Sequence, residues 1–261
     1  MQREKKRLAM AGCGKLAGIV ATAMEQGLLD AYTFVGAMSR SFDSAQAFAS
    51  RVGCDAVKDL QALIEARPQI VVESASPACV REIALPLLTR GISLVTLSIG
   101  AFADTPFYES CIQAAEESGA RIYIVSGAVG GFDVLRTVML MGEVEASIST
   151  EKGPNSLRGT PLYEESLQAE RRQVFSGTAR EAIALLPTKV NVAVATSLAS
   201  AGPEKTRVSV TSTPGFAGDD HRIEVKGPGV RAVVDIYSET SEIAGWSVVN
   251  TLRNIVSPVV F

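Results

Sequence analysis

The stretch Leu8-Ala9-Met10-Ala11-Gly12-Cys13-Gly14-Lys15-Leu16-Ala17-Gly18 decides the fold. Four apolar residues suited to a buried strand run into a glycine-rich turn, and the turn opens onto a helix-like run from Ile19-Val20 to Leu28-Leu29. Strand, tight turn and helix with glycines at this spacing form the phosphate-binding turn of a dinucleotide fold. Gly12 permits the sharp turn, Gly14 lets the backbone approach a pyrophosphate, and the small Ala17 and Gly18 let the helix pack close to its strand. The helix N-terminus then offers its N–H groups to the phosphates. The competing reading of so short a motif is a glycine turn without a ligand, and its place at the head of a βαβ unit favours a nucleotide cofactor.

Outward from that turn the pattern keeps alternating. Strand signals at 32–38, 56–57, 70–74, 93–97 and 121–125 are separated by helical signals at 42–52, 60–66, 80–90 and 106–118. Alternation of this kind specifies a parallel sheet covered by helices. The expected fold class is therefore α/β, with an N-terminal Rossmann-type doubly wound parallel sheet over residues 1–125. Beyond Ser126 strand-like stretches at 143–150, 190–195, 207–213, 221–226 and 230–237 outnumber helices, so residues 126–237 are expected to form a second α+β domain with a mixed or antiparallel sheet. Apolar residues at helical spacing over 241–255 place a C-terminal helix within 238–261, which would complete the first domain.

Composition narrows the function. The chain has 261 residues, 47% hydrophobic and 20% charged, with a net charge of −3, enough for an ample core and without the basic field that a polyanion needs. Nucleic acid is not expected as a partner. Arg3-Glu4-Lys5-Lys6-Arg7 before Leu8-Ala9-Met10-Ala11 superficially resembles a lipoprotein signal, but the apolar core is shorter than the roughly 7–15 residues of such signals, so a cytoplasmic protein is expected. No apolar run reaches the ~18–20 residues of a membrane span. Cys13, Cys54, Cys79 and Cys111 show no C-x-x-C spacing and have no histidine partners, which points to reduced thiols and to no metal site.

The end of the second strand speaks to cofactor choice. A carboxylate there would accept from a ribose 2′-hydroxyl, whereas a 2′-phosphate calls for a cation. The chain has Ser39-Arg40-Ser41 and no Asp or Glu between Phe34 and Phe42. NADP acceptance is therefore expected beside NAD, with Arg40 forked onto the phosphate; the plainer reading leaves Arg40 stacked on the adenine or in solvent.

Ser126-Gly127-Ala128-Val129-Gly130-Gly131-Phe132-Asp133, Glu73-Ser74-Ala75-Ser76-Pro77, Ala101-Phe102-Ala103-Asp104, Asn191-Val192-Ala193, Asp220-His221 and Thr251-Leu252-Arg253-Asn254 together resemble the L-aspartate dehydrogenase family. The resemblance implies NAD(P)-dependent oxidation of L-aspartate through iminoaspartate to oxaloacetate and ammonia, or the reverse amination, linked to pyridine nucleotide biosynthesis. It carries the catalytic role onto His221 and cofactor contacts onto Ala128 and Asn191, with further contacts at Lys15, Leu16, Ala75 and Ser76. The family often has an acid after the second strand, and its absence here speaks against strict NAD specificity.

Independently, His221 is the single histidine and stands between Gly218-Asp219-Asp220 and the strand-like Ile223-Glu224-Val225. An imidazole can accept and return protons near neutrality, which deamination requires, and Asp219 or Asp220 could orient it. A surface histidine at a turn is the bland alternative. The two carboxylates of aspartate call for cations, with Lys152, Arg136, Arg158, Lys189 and Arg222 as candidates. Asn191 could pair with a nicotinamide carboxamide or serve as a buried structural amide. The glycines of 127–131 suit either close approach to a cofactor or ordinary tight turns. Two other functions remain open: a two-domain reductase of dihydrodipicolinate reductase type, and a dinucleotide-sensing protein without turnover. A homodimer through the second domain's sheet is expected from fold class.

Overall fold

The computed structural model describes residues 4–186 and 190–260, which fall into two units, Met1–Val125 with Ala244–Phe261, and Ser126–Ile243. In the first, β1 (Lys6–Ala11), β2 (Tyr32–Met38), β3 (Ala56–Val57), β4 (Ile70–Glu73), β5 (Ser93–Thr96) and β6 (Ile122–Ile124) pair in parallel in the order β3-β2-β1-β4-β5-β6. Between them run α1 (Lys15–Glu25), α2 (Phe42–Val52), α3 (Leu60–Glu65), α4 (Pro77–Leu88) and α5 (Thr105–Ser118). This is the expected Rossmann-type sheet. Its central strands are apolar on both faces because helices cover both. Leu8 and Met10 of β1 join Val20 of α1 and Phe48 of α2 in one cluster, while on β2 a Cβ added to Gly36 would meet Leu63 of α3 at 3.3 Å. Helix starts are fixed by side-chain caps: Ser41, Asp59, Ser76 and Asp104 each accept from the backbone N–H three residues on.

The second unit is built on β7 (Glu145–Lys152), β8 (Arg172–Thr178), β9 (Thr206–Ser212), β10 (Asp219–Gly227) and β11 (Val230–Ser238), in the order β11-β10-β7-β9-β8. The sheet is mixed, since β7 and β9 are parallel and the other pairs antiparallel. Burial alternates along its middle strands: Ala146, Ile148 and Thr150, then Val208 and Val210, then His221, Ile223 and Val225 all lie buried. That period of two puts them on one face. α6 (Phe132–Met139), α7 (Ala179–Leu185) and α8 (Asn191–Leu198) complete the unit, with α8 lying against β7 and β9.

Two differences from the sequence reading lie here. Residues 190–195, expected as a strand, are the N-cap Val190 and the start of α8, in which Ala193 through Ser197 are all buried. A short run that is apolar on every side carries no period to distinguish a buried helix from a buried strand. β8 was not anticipated, because Arg172-Gln173-Val174-Phe175-Ser176-Gly177-Thr178 is a half-exposed strand with weak alternation.

α9 (Glu242–Val256) contributes Val248, Val249 and Leu252 to the cluster around β1 and α1. The Tyr32 hydroxyl donates to the Leu252 carbonyl at 2.6 Å, and a Cβ at Gly245 would collide with Ile19 at 2.5 Å. Among the described residues, no helix is long and apolar enough to cross a membrane.

Candidate active site

In the first unit the strand order reverses between β1 and β4, and ligands of such sheets bind beyond the carboxyl ends of the strands at that point. Gly12 occupies it. Its φ is +94°, its N–H donates to the Met38 carbonyl at 2.8 Å, its carbonyl accepts from the Ser74 hydroxyl at 2.8 Å, and an added Cβ would stand 2.6 Å from Ala75 Cβ. A side chain is excluded by both conformation and space. The turn after β1 and the turn after β4 are thereby pressed together. Gly14 caps α1 with open space where a Cβ would project, and the first turn of the helix carries no acid. The leading N–H groups of a helix lack intrahelical acceptors and carry its positive end, so this cradle fits an anionic diphosphate.

Glu73 supports the facing turn. It is fully buried, and its Oε1 accepts from Ala75 N at 2.7 Å, Ser76 N at 2.9 Å and Ser98 Oγ at 2.8 Å, while Oε2 accepts from Thr96 Oγ1 at 2.7 Å and Ser98 N at 3.1 Å. The carboxylate thus ties Ala75 and Ser76 to the end of β5. At the end of β2, Arg40 is exposed in the bend before α2, and the Lys58 ammonium lies 6.0 Å from the Phe42 ring centre.

The second unit holds the histidine. His221, 3% exposed, faces Thr150 across the β10–β7 pair, and its Nδ1 lies 2.9 Å from Thr150 Oγ1. The next pair on that face is Asp219 and Lys152, with Nζ 2.9 Å from Oδ1. Burial, partly offset by Asp219 and reinforced by Lys152, pushes the imidazole down to about 4. The ring is therefore neutral at physiological pH. The expectation that an aspartate orients it is corrected: strand alternation turns Asp220 to the opposite face, where burial and then Asp235 push its carboxyl up, and Asp219 turns to Lys152 instead. Thr150 is the partner.

Of the candidate cations, Lys152 shares His221's face. Arg136 is exposed on α6, Arg158 stacks 5.2 Å over Tyr163, and Arg222 lies on the other face bound to Asp235 at 3.0 Å. Lys189 lies outside the described residues. Thr150, Lys152 and Ser156 bring polar groups to a cavity otherwise walled by apolar side chains such as Leu186, Val192 and Val208. Asn191 opens α8 immediately beside Val190 and Val192 of that wall, at a helix start rather than beside a strand. Ala128 lies in a turn of half-buried residues. Gly131 of that segment is explained by packing, since an added Cβ would meet Val234 of β11 at 2.5 Å. The four cysteines are free, and burial pushes the Cys13 and Cys79 thiols up to about 12, which leaves them poor nucleophiles.

Residues 12–125 match the family model described as homoserine dehydrogenase, NAD binding domain, and residues 133–255 match that described as aspartate dehydrogenase, C-terminal. An L-aspartate dehydrogenase of Methanosarcina mazei is 32% identical, covering 97% of this chain and 98% of its own. The chain belongs to the L-aspartate dehydrogenase family. Within that family, L-aspartate dehydrogenase 2 of Bordetella pertussis is 32% identical over 95% of this chain and 96% of its own. The crystal structure of aspartate dehydrogenase from Thermotoga maritima superposes with a TM-score of 0.79 at 27% identity, covering 99% of this chain and all of that one (100%).

Two supporting residues escaped the sequence reading of this family member. Thr150 is visible only through the β7–β10 register. Glu73 left a signal, an acid ending the apolar run Ile70-Val71-Val72, since an acid at the end of a buried strand needs donors around it.

Proposed function

We propose that this member of the family catalyses the NAD(P)-dependent oxidative deamination of L-aspartate, with His221 as the acid-base residue. L-Aspartate, water and NAD(P)+ give oxaloacetate, ammonium, NAD(P)H and a proton, by way of iminoaspartate. The observation that carries the reading is the buried, neutral His221 held at Nδ1 by Thr150. With Nδ1–H donating to the threonine hydroxyl, Nε2 keeps the lone pair that accepts a proton from the substrate ammonium, releases it to solvent, and then accepts one from the water that attacks the imine. The nicotinamide, when bound, supplies the hydride acceptor. Gly12, Gly14, Lys15 and Leu16 would hold the diphosphate, with Ala75, Ser76, Ala128 and Asn191 as further cofactor contacts.

Arg40 supports acceptance of NADP beside NAD, because it follows β2 where an NAD-preferring site has an acid. The reading extends to a homodimer through the second unit's sheet and to a cytoplasmic enzyme feeding pyridine nucleotide biosynthesis through iminoaspartate; the free cysteines fit a reducing compartment. The test is absorbance at 340 nm with NAD or NADP and a panel of L-amino acids at alkaline pH. Turnover with L-aspartate alone is expected, and His221→Ala should cut it by at least ~10²-fold with cofactor affinity nearly unchanged. Silence with L-aspartate despite cofactor binding would reject the assignment.

A further inference from the structure

The geometry points to Lys152 as the residue that selects the substrate's side-chain carboxylate. The inference rests on the reading of the second unit as the amino-acid site and names the group that makes it selective for an acidic substrate. Aspartate and asparagine have nearly the same shape, so only a charge or a directed donor can separate them, and that donor must lie where the acid-base residue can reach the same molecule. Lys152 is such a donor, on the cross-strand pair next to that of His221 on the same face. On β7 it is two residues from Thr150, the partner of His221, and it lines the cavity with Thr150 and Ser156. Its side chain is only 17% exposed. The other cations of β10 and β11 are committed elsewhere: Arg222 to Asp235, and Lys226 and Arg231 to Glu224.

The ion pair with Asp219 leaves this role open. Nζ stands 2.9 Å from Asp219 Oδ1, yet that solvent-shielded oxygen has no hydrogen bond of acceptable geometry. The contact is therefore Coulombic rather than a directed hydrogen bond. An ammonium offers three donors, so a carboxylate entering the cavity can take one, competing with Asp219 only for the charge. A charge-assisted hydrogen bond of this kind is worth about 1.5–3 kcal/mol, or roughly 10–100-fold in affinity.

Lys152→Met keeps the aliphatic stem and removes the charge. Expected are an L-aspartate KM raised at least ~10-fold, an unchanged KM for the cofactor, and collapse of the preference for L-aspartate over L-asparagine, with Lys152→Arg restoring part of it. Calorimetric titration of succinate, a dicarboxylate without the reacting amine, gives a readout independent of turnover. The wild type should bind succinate, Lys152→Met should lose at least ~10-fold, and Asp219→Asn, which leaves Lys152 without a competing carboxylate, should bind it more tightly. A folded Lys152→Met enzyme that keeps its aspartate-to-asparagine ratio overturns the inference while the reaction stands. Wild-type silence with L-aspartate beside Lys152-dependent succinate binding would instead reject the reaction and keep the site. Should Lys152→Met not fold, weaker succinate binding by Asp219→Asn overturns the inference.

Discussion

His221 shows how a single buried ring ties function to stability. Its ordinary value of 6.5 is pushed down to about 4 in the fold, first by burial. Between these values the unfolded chain binds a proton that the folded chain refuses, so stability is full above about 6.5 and is lost as the pH falls toward 4. Asp220, pushed up, works in the opposite sense. The comparison that isolates the ring is therefore thermal unfolding of wild type against His221→Asn from pH 7 to pH 4, where the variant should lose less stability over that range. An identical pH dependence would mean that the imidazole titrates normally. Glu73 makes a different demand. Each of its oxygens accepts from a backbone N–H, so in either orientation the amide of Glu73→Gln turns an NH2 toward a donor. A loss of about 1–3 kcal/mol in chemical denaturation is expected. Because the released turn carries Ala75 and Ser76, the cofactor KM should rise while the kcat effect stays small; an unchanged KM would reduce Glu73 to a structural brace.

At the scale of elements, the loop between β2 and α2 decides which dinucleotide is preferred. Arg40→Ala should raise the KM for NADP much more than that for NAD, and equal changes would remove Arg40 from 2′-phosphate recognition. Elements with a strong period were legible in the sequence: the six parallel strands read as apolar runs between helical patterns, and β10 and β11 showed alternation around short turns. α8 was not legible, because the run Val192-Ala193-Val194-Ala195 is apolar at every position and so shows no helical period, while Ala193 through Ser197 are all buried in the fold. β8 was hidden by half exposure. The candidate site divided the same way. Gly12 and Gly14 are readable because glycine has a conformational meaning that one sequence displays, and His221 because it is unique. Thr150, and the choice of Lys152 among the candidate cations, depend on a cross-strand register joining positions about seventy residues apart, for which local pattern contains no information.

For the whole molecule, the expected homodimer through the second unit's sheet is checked by light scattering on the eluted protein, which should give twice the 27.5 kDa chain mass. A monomer that turns over L-aspartate would show that each chain is sufficient. The return of α9 to the first unit has its own consequence for how this protein is made. The Rossmann sheet is translated by Val125, yet the pocket that receives Val248, Val249 and Leu252, and the Tyr32 hydroxyl that waits for the Leu252 carbonyl, stay unfilled until all of the second unit has left the ribosome. For that interval the nascent first unit displays a greasy groove beside α1, a natural landing place for a chaperone, and a chain stopped before residue 244 should keep the groove open and be degraded rather than accumulate as half an enzyme.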